Sequence, residues 1–320
     1  MTILCSGPII LKIPAKLNLY LHAGALRKDG YHDITMVYQA ISLYDSMTIS
    51  PCQDPHIDFT MTATGIDSDR IPADARNLVI KAAKRLAGHC GIANPSLHFD
   101  LVKSIPTEAG LGGGSADAAA ALIGCNYLWK TELDEEQLME IGAQIGEDVP
   151  FFIRGLVGIG TGYHRPVIPV DVNPQSMRTW HWVLGIMPRG LSTKLVFEKS
   201  DEFLDRRVQY GETLSSQREQ LEKCLSVDWG NTPAYVLVPD LRNNLQEVAE
   251  ELDADIGVAL QAGREAGALL SLMAGTGTTC LFLARDEEHA EVVSRTLSER
   301  EIFRQVVGAV GPVEGVQIIQ

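Results

Sequence analysis

No Gly-Lys pair occurs anywhere in the 320 residues. A P-loop ends in Gly-Lys-Ser/Thr, so any phosphate bound here is held without that lysine. Cysteine is sparse and scattered. The six (Cys5, Cys52, Cys90, Cys125, Cys224, Cys280) form no Cys-x-x-Cys pair, which signals neither a zinc site nor a disulfide framework and fits reduced thiols in a cytosol. The eight histidines lack a metal-ligand spacing. Basic residues are in deficit: 27 Lys and Arg against 41 Asp and Glu give a net charge of -14. Broad nucleic-acid binding needs a positive surface that displaces counterions, and an anionic membrane surface needs the same. Both are excluded as partners, while a local basic pocket for a small anion is not. No apolar stretch approaches the length of a membrane span. Pro8-Ile-Ile-Leu11 is too short, and no cleavage site follows it. A cytoplasmic protein is expected.

What is present is 45% hydrophobic residues, enough for a large core and two domains. Residues 9–23, 34–49 and 55–62 read as strands, rich in β-branched and aromatic types. Asn77–Cys90 reads as a helix with Leu78, Ala82 and Leu86 on one stripe. Leu97–Val102 is a strand, 115–129 a helix, and Asp134–Ile145 a helix opened by Asp134 with Gln137 at capping-box spacing. After two short strands within 155–180 come a buried strand over 181–187 and a charged, partly helical stretch over 200–230. Helices follow over Leu241–Glu251 and Asp253–Glu265. Leu269–Met273 and Cys280–Ala284 form a hairpin around a turn at 275–277. Glu287–Ser298 is a helix and Phe303–Val307 a last strand. The order predicts an α+β chain of two domains, divided into 1–170 and 171–320.

Four constellations carry chemistry. In Pro106-Thr-Glu-Ala-Gly-Leu-Gly-Gly-Gly-Ser-Ala-Asp117, four glycines occupy five positions before an alanine-rich helix. Bare backbone feeding a helix N-terminus points amides and the positive end of a dipole at one spot, which suits phosphate. Ser115 or Asp117 is expected to cap that helix. In Pro14-Ala-Lys16-Leu-Asn18-Leu, Lys16 and Asn18 share one face of an apolar strand. Such a lysine lies at a sheet edge or has a charged partner. In Gly146-Glu-Asp148-Val-Pro-Phe151, a carboxylate sits at the mouth of a core segment, either as a proton acceptor or as a helix-ending turn residue. Ala274-Gly275-Thr276-Gly277 is a tight turn or a place of close ligand approach.

Together these segments resemble the three motifs of the GHMP small-molecule kinases. The branch most resembled is the one that phosphorylates 4-diphosphocytidyl-2-C-methyl-D-erythritol. Asp29-Gly30-Tyr31-His32 with Tyr38-Gln39-Ala40-Ile-Ser-Leu-Tyr44-Asp45 looks like that branch, as do Gly146-x-Asp148-Val-Pro-Phe151 and Ser192-Thr193-Lys194-x-x-Phe197. The likeness runs through 9–165 and more thinly through 185–320. It implies an N-terminal domain like domain 2 of ribosomal protein S5 and a ferredoxin-like α/β-plait C-terminal domain. It implies ATP with Mg2+, and as partner a small-molecule cytidine diphosphate methylerythritol, with the protein a monomer or weak homodimer. Lys16 and Asp148 would be catalytic, Asp148 as base and Lys16 as its cationic stabiliser. Pro106, Gly110, Leu111, Gly112, Gly113, Gly114, Ser115 and Ala116 would hold the nucleotide phosphates, with Lys103 and Asn77 near adenine and Ser115 near the metal. Asn18, Thr193, Gly275, Thr276 and Gly277 would face the substrate. Tyr31 and Phe197 would sandwich its cytosine, and His32 would read the base edge.

The chain departs from the pattern in three places. Glu147 precedes the base and is expected to point to solvent. No glutamate closes Gly158-Ile-Gly-Thr-Gly-Tyr-His-Arg165. Arg242-Asn243-Asn244-Leu245 replaces a usual Asn-Asp-Leu. The alternatives are another GHMP kinase or a catalytically silent nucleotide-binding relative.

Overall fold

The computed structural model describes residues 7–52, 58–162, 166–170, 177–209, 237, 241–277 and 279–320. Part of the strand read over 55–62, the stretch beyond 209 within 200–230, and Tyr163 to Arg165 lie outside the described residues.

Two long antiparallel strands form the frame: β1 (Ile9–Leu26) and β2 (His32–Pro51). Their pairing slips between Pro14 and Ala15, Asn18 and Tyr20, and Ala23 and Leu26. Bulges of this kind re-aim side chains beside functional sites, and two of them bracket Lys16 and Asn18. On the other side of β2 lies β4 (Leu97–Lys103), which pairs in parallel with β3 (Phe59–Gly65). β5 (Val157–Gly162) also pairs with β2 and carries β6 (Ile168–Pro169). One face of this sheet is covered by α1 (Leu78–Cys90), α2 (Gly113–Trp129), α3 (Glu135–Ala143) and α4 (Val149–Arg154). Ala116 and Ala118–Ala121 in α2 are all fully buried, as expected for a helix apolar all round. α3 has the predicted capping box of Asp134 and Gln137. α2 does not have the predicted cap: its N-cap is Gly112, in a left-handed conformation, with no side-chain hydrogen bond. Asp117 instead turns inward to a lysine.

The second sheet has the order β11-β7-β10-β9, from β7 (Trp180–Ile186), β9 (Leu270–Met273), β10 (Thr279–Ala284) and β11 (Gln305–Gly311). With α7 (Ala254–Glu265) and α8 (Glu287–Ser298) it is a ferredoxin-like plait; α5 (Thr193–Gln209) and α6 (Gln246–Leu252) precede them. Side chains alternate across a strand. Val183 and Phe282 therefore pack on the helices, while Trp182, Leu184 and Leu281 pack against Leu17, Val37 and Ile41 of the first sheet. Trp182 Nε1 donates to Gln39 Oε1 at 2.8 Å across this seam.

The chain's end returns to the first sheet. β12 (Gln317–Ile318) pairs with β1, and Val316 joins the first core. The predicted last strand over 303–307 accordingly continues to Gly311, with β12 after it. The helix expected from Leu241 begins only at Gln246, because β8 (Arg242–Asn243) first pairs with β1. Cys52, Cys90, Cys125 and Cys280 are free thiols.

Candidate active site

The glycine loop joins β4 to α2. Lys16 N donates to Leu111 O at 3.0 Å, tying β1 to it. Gly112 is required twice over. Its φ is +74°, and a Cβ there would lie 2.7 Å from Phe152 Cζ and 3.0 Å from Lys16 Cγ. The late Gly-Thr-Gly turn docks on the same loop, backbone to backbone. A Cβ on Gly277 would meet Gly110 N at 2.7 Å, and Thr279 Oγ1 donates to Ala109 O at 2.9 Å. Asn243 fixes that turn through Met273 O (3.0 Å) and Gly275 O (2.6 Å). The Ser115 and Ala116 amides both donate to Gly112 O. Those of Gly113 and Gly114, in the first turn of α2, have no intrahelical acceptor and stand at the positive end of the helix. Pro106, Gly110 to Ser115, Asn77, Arg70 and Arg76 line a cleft of about 430 Å³ here. Ala116 does not line it. Its side chain is fully buried and its amide is spent on Gly112, which corrects its expected place on the phosphates.

Lys103 borders this cleft, but its ammonium is already occupied. It pairs with Asp45, and with Asp117 Oδ2 at 2.8 Å. Asp45 Oδ1 also accepts from Ser104 N (2.6 Å) and Ile105 N (2.8 Å). Burial pulls the Lys103 pKa down, but the two carboxylates outweigh it and the net direction is up. Burial raises the Asp117 carboxyl against the pull of Lys103. The triad clamps both ends of the glycine loop, and Lys103 keeps its place in the cleft wall. Asn77 is likewise committed: it accepts from Val79 N at 2.8 Å as the α1 cap and donates to Pro72 O at 2.8 Å.

Lys16 is only 5% exposed and lies on an interior strand, so it is not an edge lysine. Nζ donates to Asn18 Oδ1 at 2.7 Å and lies 4.4 Å from the Tyr38 ring centroid. Burial lowers its pKa, with Asp148 opposing. Tyr38 faces Asn18 across the β1–β2 pair, and its hydroxyl donates to Asp148 Oδ1 at 2.9 Å. Asp148 stands at the N-cap of α4 without capping it; its carboxylate faces Tyr38 instead. Asn18 is 1% exposed and engaged by Lys16 and Tyr38. Its side chain lies beneath the Lys16 ammonium, next to Tyr38.

A larger cavity of about 670 Å³ is lined by Tyr31, His32, Phe197, Lys194 and, against expectation, Glu147. Glu147 turns in because the chain enters α4 there, beside Met36 and Gly162 in the same wall. His32 Nδ1 lies 2.8 Å from Gly24 O. The rings of His32 and Phe197 are 5.2 Å apart. Asp201 lies 3.6 Å from His32 Nε2. Tyr31 is half exposed at the rim.

A third cavity of about 600 Å³ holds Thr193, Thr276 and Gly277. It shares Glu108 and Gly110 with the glycine-loop cleft and Lys194 with the aromatic cavity. The three form one trough. Thr193 and Thr276 hydroxyls meet across it at 2.8 Å. Gly275 stays in the turn, with its carbonyl on Asn243. A Cβ at Gly146 would stand 3.9 Å from Ser115 Oγ, so the turn carrying Asp148 lies between cleft and cavity. Among the described residues no cluster of three His, Cys, Asp or Glu side chains could hold a metal. A cation here would need phosphate oxygens for most of its ligands. Sequence reasoning assigned nothing to the Tyr38 hydroxyl, Asp45 or Asn243, and expected Asp117 only as a helix cap. The only signal for Asp45 and Asp117 is an acid within an otherwise apolar run.

Residues 77–156 match the GHMP kinases N terminal domain, and residues 213–302 match the GHMP kinases C terminal domain. The 4-diphosphocytidyl-2-C-methyl-D-erythritol kinase of Salinispora tropica is 40% identical over 313 residues, covering 98% of this chain and 95% of that one. That of Nocardia farcinica is 40% identical over 315 residues, covering 98% and 97%. A crystal structure of 4-(cytidine 5'-diphospho)-2C-methyl-D-erythritol kinase superposes with TM-score 0.69 at 23% identity, covering 94% and 98%. Homoserine kinase from Cytophaga hutchinsonii gives TM-score 0.74 at 16% identity, covering 98% of each. The fold is thus shared across several kinases, and sequence identity selects the branch. The chain belongs to the GHMP kinases and, within them, to the 4-diphosphocytidyl-2-C-methyl-D-erythritol kinase family.

Proposed function

We propose that this protein transfers the γ-phosphoryl group of ATP to the 2-hydroxyl of 4-diphosphocytidyl-2-C-methyl-D-erythritol, giving the 2-phosphate and ADP, a step of the non-mevalonate route to isoprenoid precursors in the cytoplasm. The observation that carries this reading is the meeting of Lys16 and Asp148, through Asn18 and Tyr38, between a bare-amide cleft and an aromatic cavity. ATP phosphates suit the Gly113 and Gly114 amides at the head of α2. A cytosine suits Tyr31, Phe197 and His32, with the diphosphate and alcohol along the trough by Thr193 and Thr276. Asp148 accepts the proton of the attacking hydroxyl as its oxygen bonds to phosphorus and the bond to ADP breaks. Lys16 supplies a fixed positive charge where negative charge shifts, which counts for more in a dry site than in water. Mg2+, touched by Ser115 Oγ and otherwise held by phosphate oxygens, would neutralise the phosphates. The base itself is weak, so positioning carries much of the rate.

The test is ADP release with this alcohol. The wild type should turn over and Asp148→Asn should not. Turnover of homoserine or mevalonate in place of the cytidine-bearing alcohol would move the chain to another branch. ATP binding without transfer to any alcohol would make it a silent relative.

A further inference from the structure

We propose that Tyr38 is a positioning residue for the base: its hydroxyl holds one oxygen of Asp148 so that the other alone meets the substrate hydroxyl. This rests on the reading of Asp148 as proton acceptor. Four residues from three elements meet here. Lys16 Nζ donates to Asn18 Oδ1. Asn18 stands opposite Tyr38 across the β1–β2 pair, and its carboxamide acts on the phenol against the effect of burial. Tyr38 Oη then donates its single proton to Asp148 Oδ1 at 2.9 Å. Met36 Sδ, 3.1 Å from the same hydroxyl, competes poorly, because a thioether is a weak acceptor and a carboxylate a strong one.

The ring has little freedom to leave this place. It is buried and meets Phe151 edge-on, 5.4 Å between centroids at 80°. Phe151 lies in α4, three residues after Asp148, so one helix fixes both the base and the ring that aims it. The Lys16 ammonium sits over the ring face. Its charge therefore reaches the base across the ring and through Asn18, leaving the carboxylate unclamped by an ion pair.

The charged groups facing this hydroxyl are Asp148 and Glu147, from the entry to α4, with Lys16 on β1. Burial, then the charge of Asp148, hold the phenol well above its ordinary pKa, so it remains a donor wherever the enzyme works. Tyr38 thus holds Asp148 in place as a steady donor.

Tyr38→Phe tests this by deleting one oxygen while keeping the ring, its packing and its contact with Lys16. The assay uses whichever alcohol the wild type turns over, so a wrong substrate leaves this result readable. A hydrogen bond to a charged group accounts for about a tenfold to hundredfold change. The expected outcome is a fall in kcat of that size with an unchanged KM for ATP. Thermal unfolding of the variant checks that the fold survives. A wild-type kcat overturns the proposal. So does a rise in both KM values at unchanged kcat, which is what a purely packing role would give.

Discussion

Two buried lysines flank β2, and they live in opposite surroundings. Lys103, on β4, is clamped by two carboxylates. Lys16, on β1, has the neutral Asn18 as its hydrogen-bond partner, an aromatic face beside it, and Asp148 acting on it without an ion-pair contact. Their pKa values move in opposite directions, up for Lys103 and down for Lys16. A fully paired buried charge is spent on holding structure, and the glycine loop is what it holds. A buried charge left short of carboxylates retains attraction for an incoming anion. The same side chain thus builds the scaffold at one strand and, on the proposed function, the reactive centre at the other.

Breaking the Lys16 side should cost rate and little stability. Asp148→Asn is expected to lower kcat by about 10²–10⁴ with the urea midpoint nearly unchanged, because Asp148 is only half-buried. Lys16→Met should lower kcat comparably while ATP still binds, as calorimetry would show. Breaking the Lys103 side should do the reverse. Lys103→Met leaves Asp45 and Asp117 buried without their cation, and a loss of about 3–5 kcal/mol in unfolding free energy is expected, read from urea denaturation. If both lysines behaved alike in these two assays, the contrast would fail.

Away from both, the aromatic cavity should respond in substrate affinity alone. Phe197→Ala is expected to raise KM for the cytidine-bearing alcohol by about five- to a hundredfold, the value of one base-stacking contact, and to leave KM for ATP in place. A pH dependence sharpens the Lys103 side. Burial pushes the Asp117 carboxyl from 3.8 up to about 7. The folded state then holds a proton that the unfolded chain has released. Its contribution to stability is full below about pH 4 and is lost as pH rises through about 7. Asp117→Asn should flatten the fall in stability across that window, measured by urea unfolding at several pH values.

Much of the fold was legible because local chemistry and tertiary fate agree. Glu287–Ser298 has its cap and its stripe in the sequence, and the helix appears as read. The hairpin around 275–277 forms for the same reason. Where reading failed, a distant partner decided. Asp117 looked like a cap because the helix was expected to open at Ser115, but it starts at Gly113 and Lys103 captures Asp117. Glu147 looked outward because an adjacent residue can face elsewhere, but the chain's entry into α4 places it in the cavity wall. β12 is a two-residue strand with no signal of its own until β1 is there to pair with it.

The glycine crowding, the alanine helix, the lone lysine in an apolar strand and the aspartate before proline are all local facts. The residues alone were therefore enough for the family, for a glycine loop at the head of a helix, and for Lys16 and Asp148 as the pair proposed to be catalytic. The tertiary structure alone decided which buried lysine is clamped and which is left short of carboxylates, and that a tyrosine hydroxyl stands between ammonium and base. Burial and charge pairing depend on what arrives from elsewhere in the chain, and no single segment carries that information.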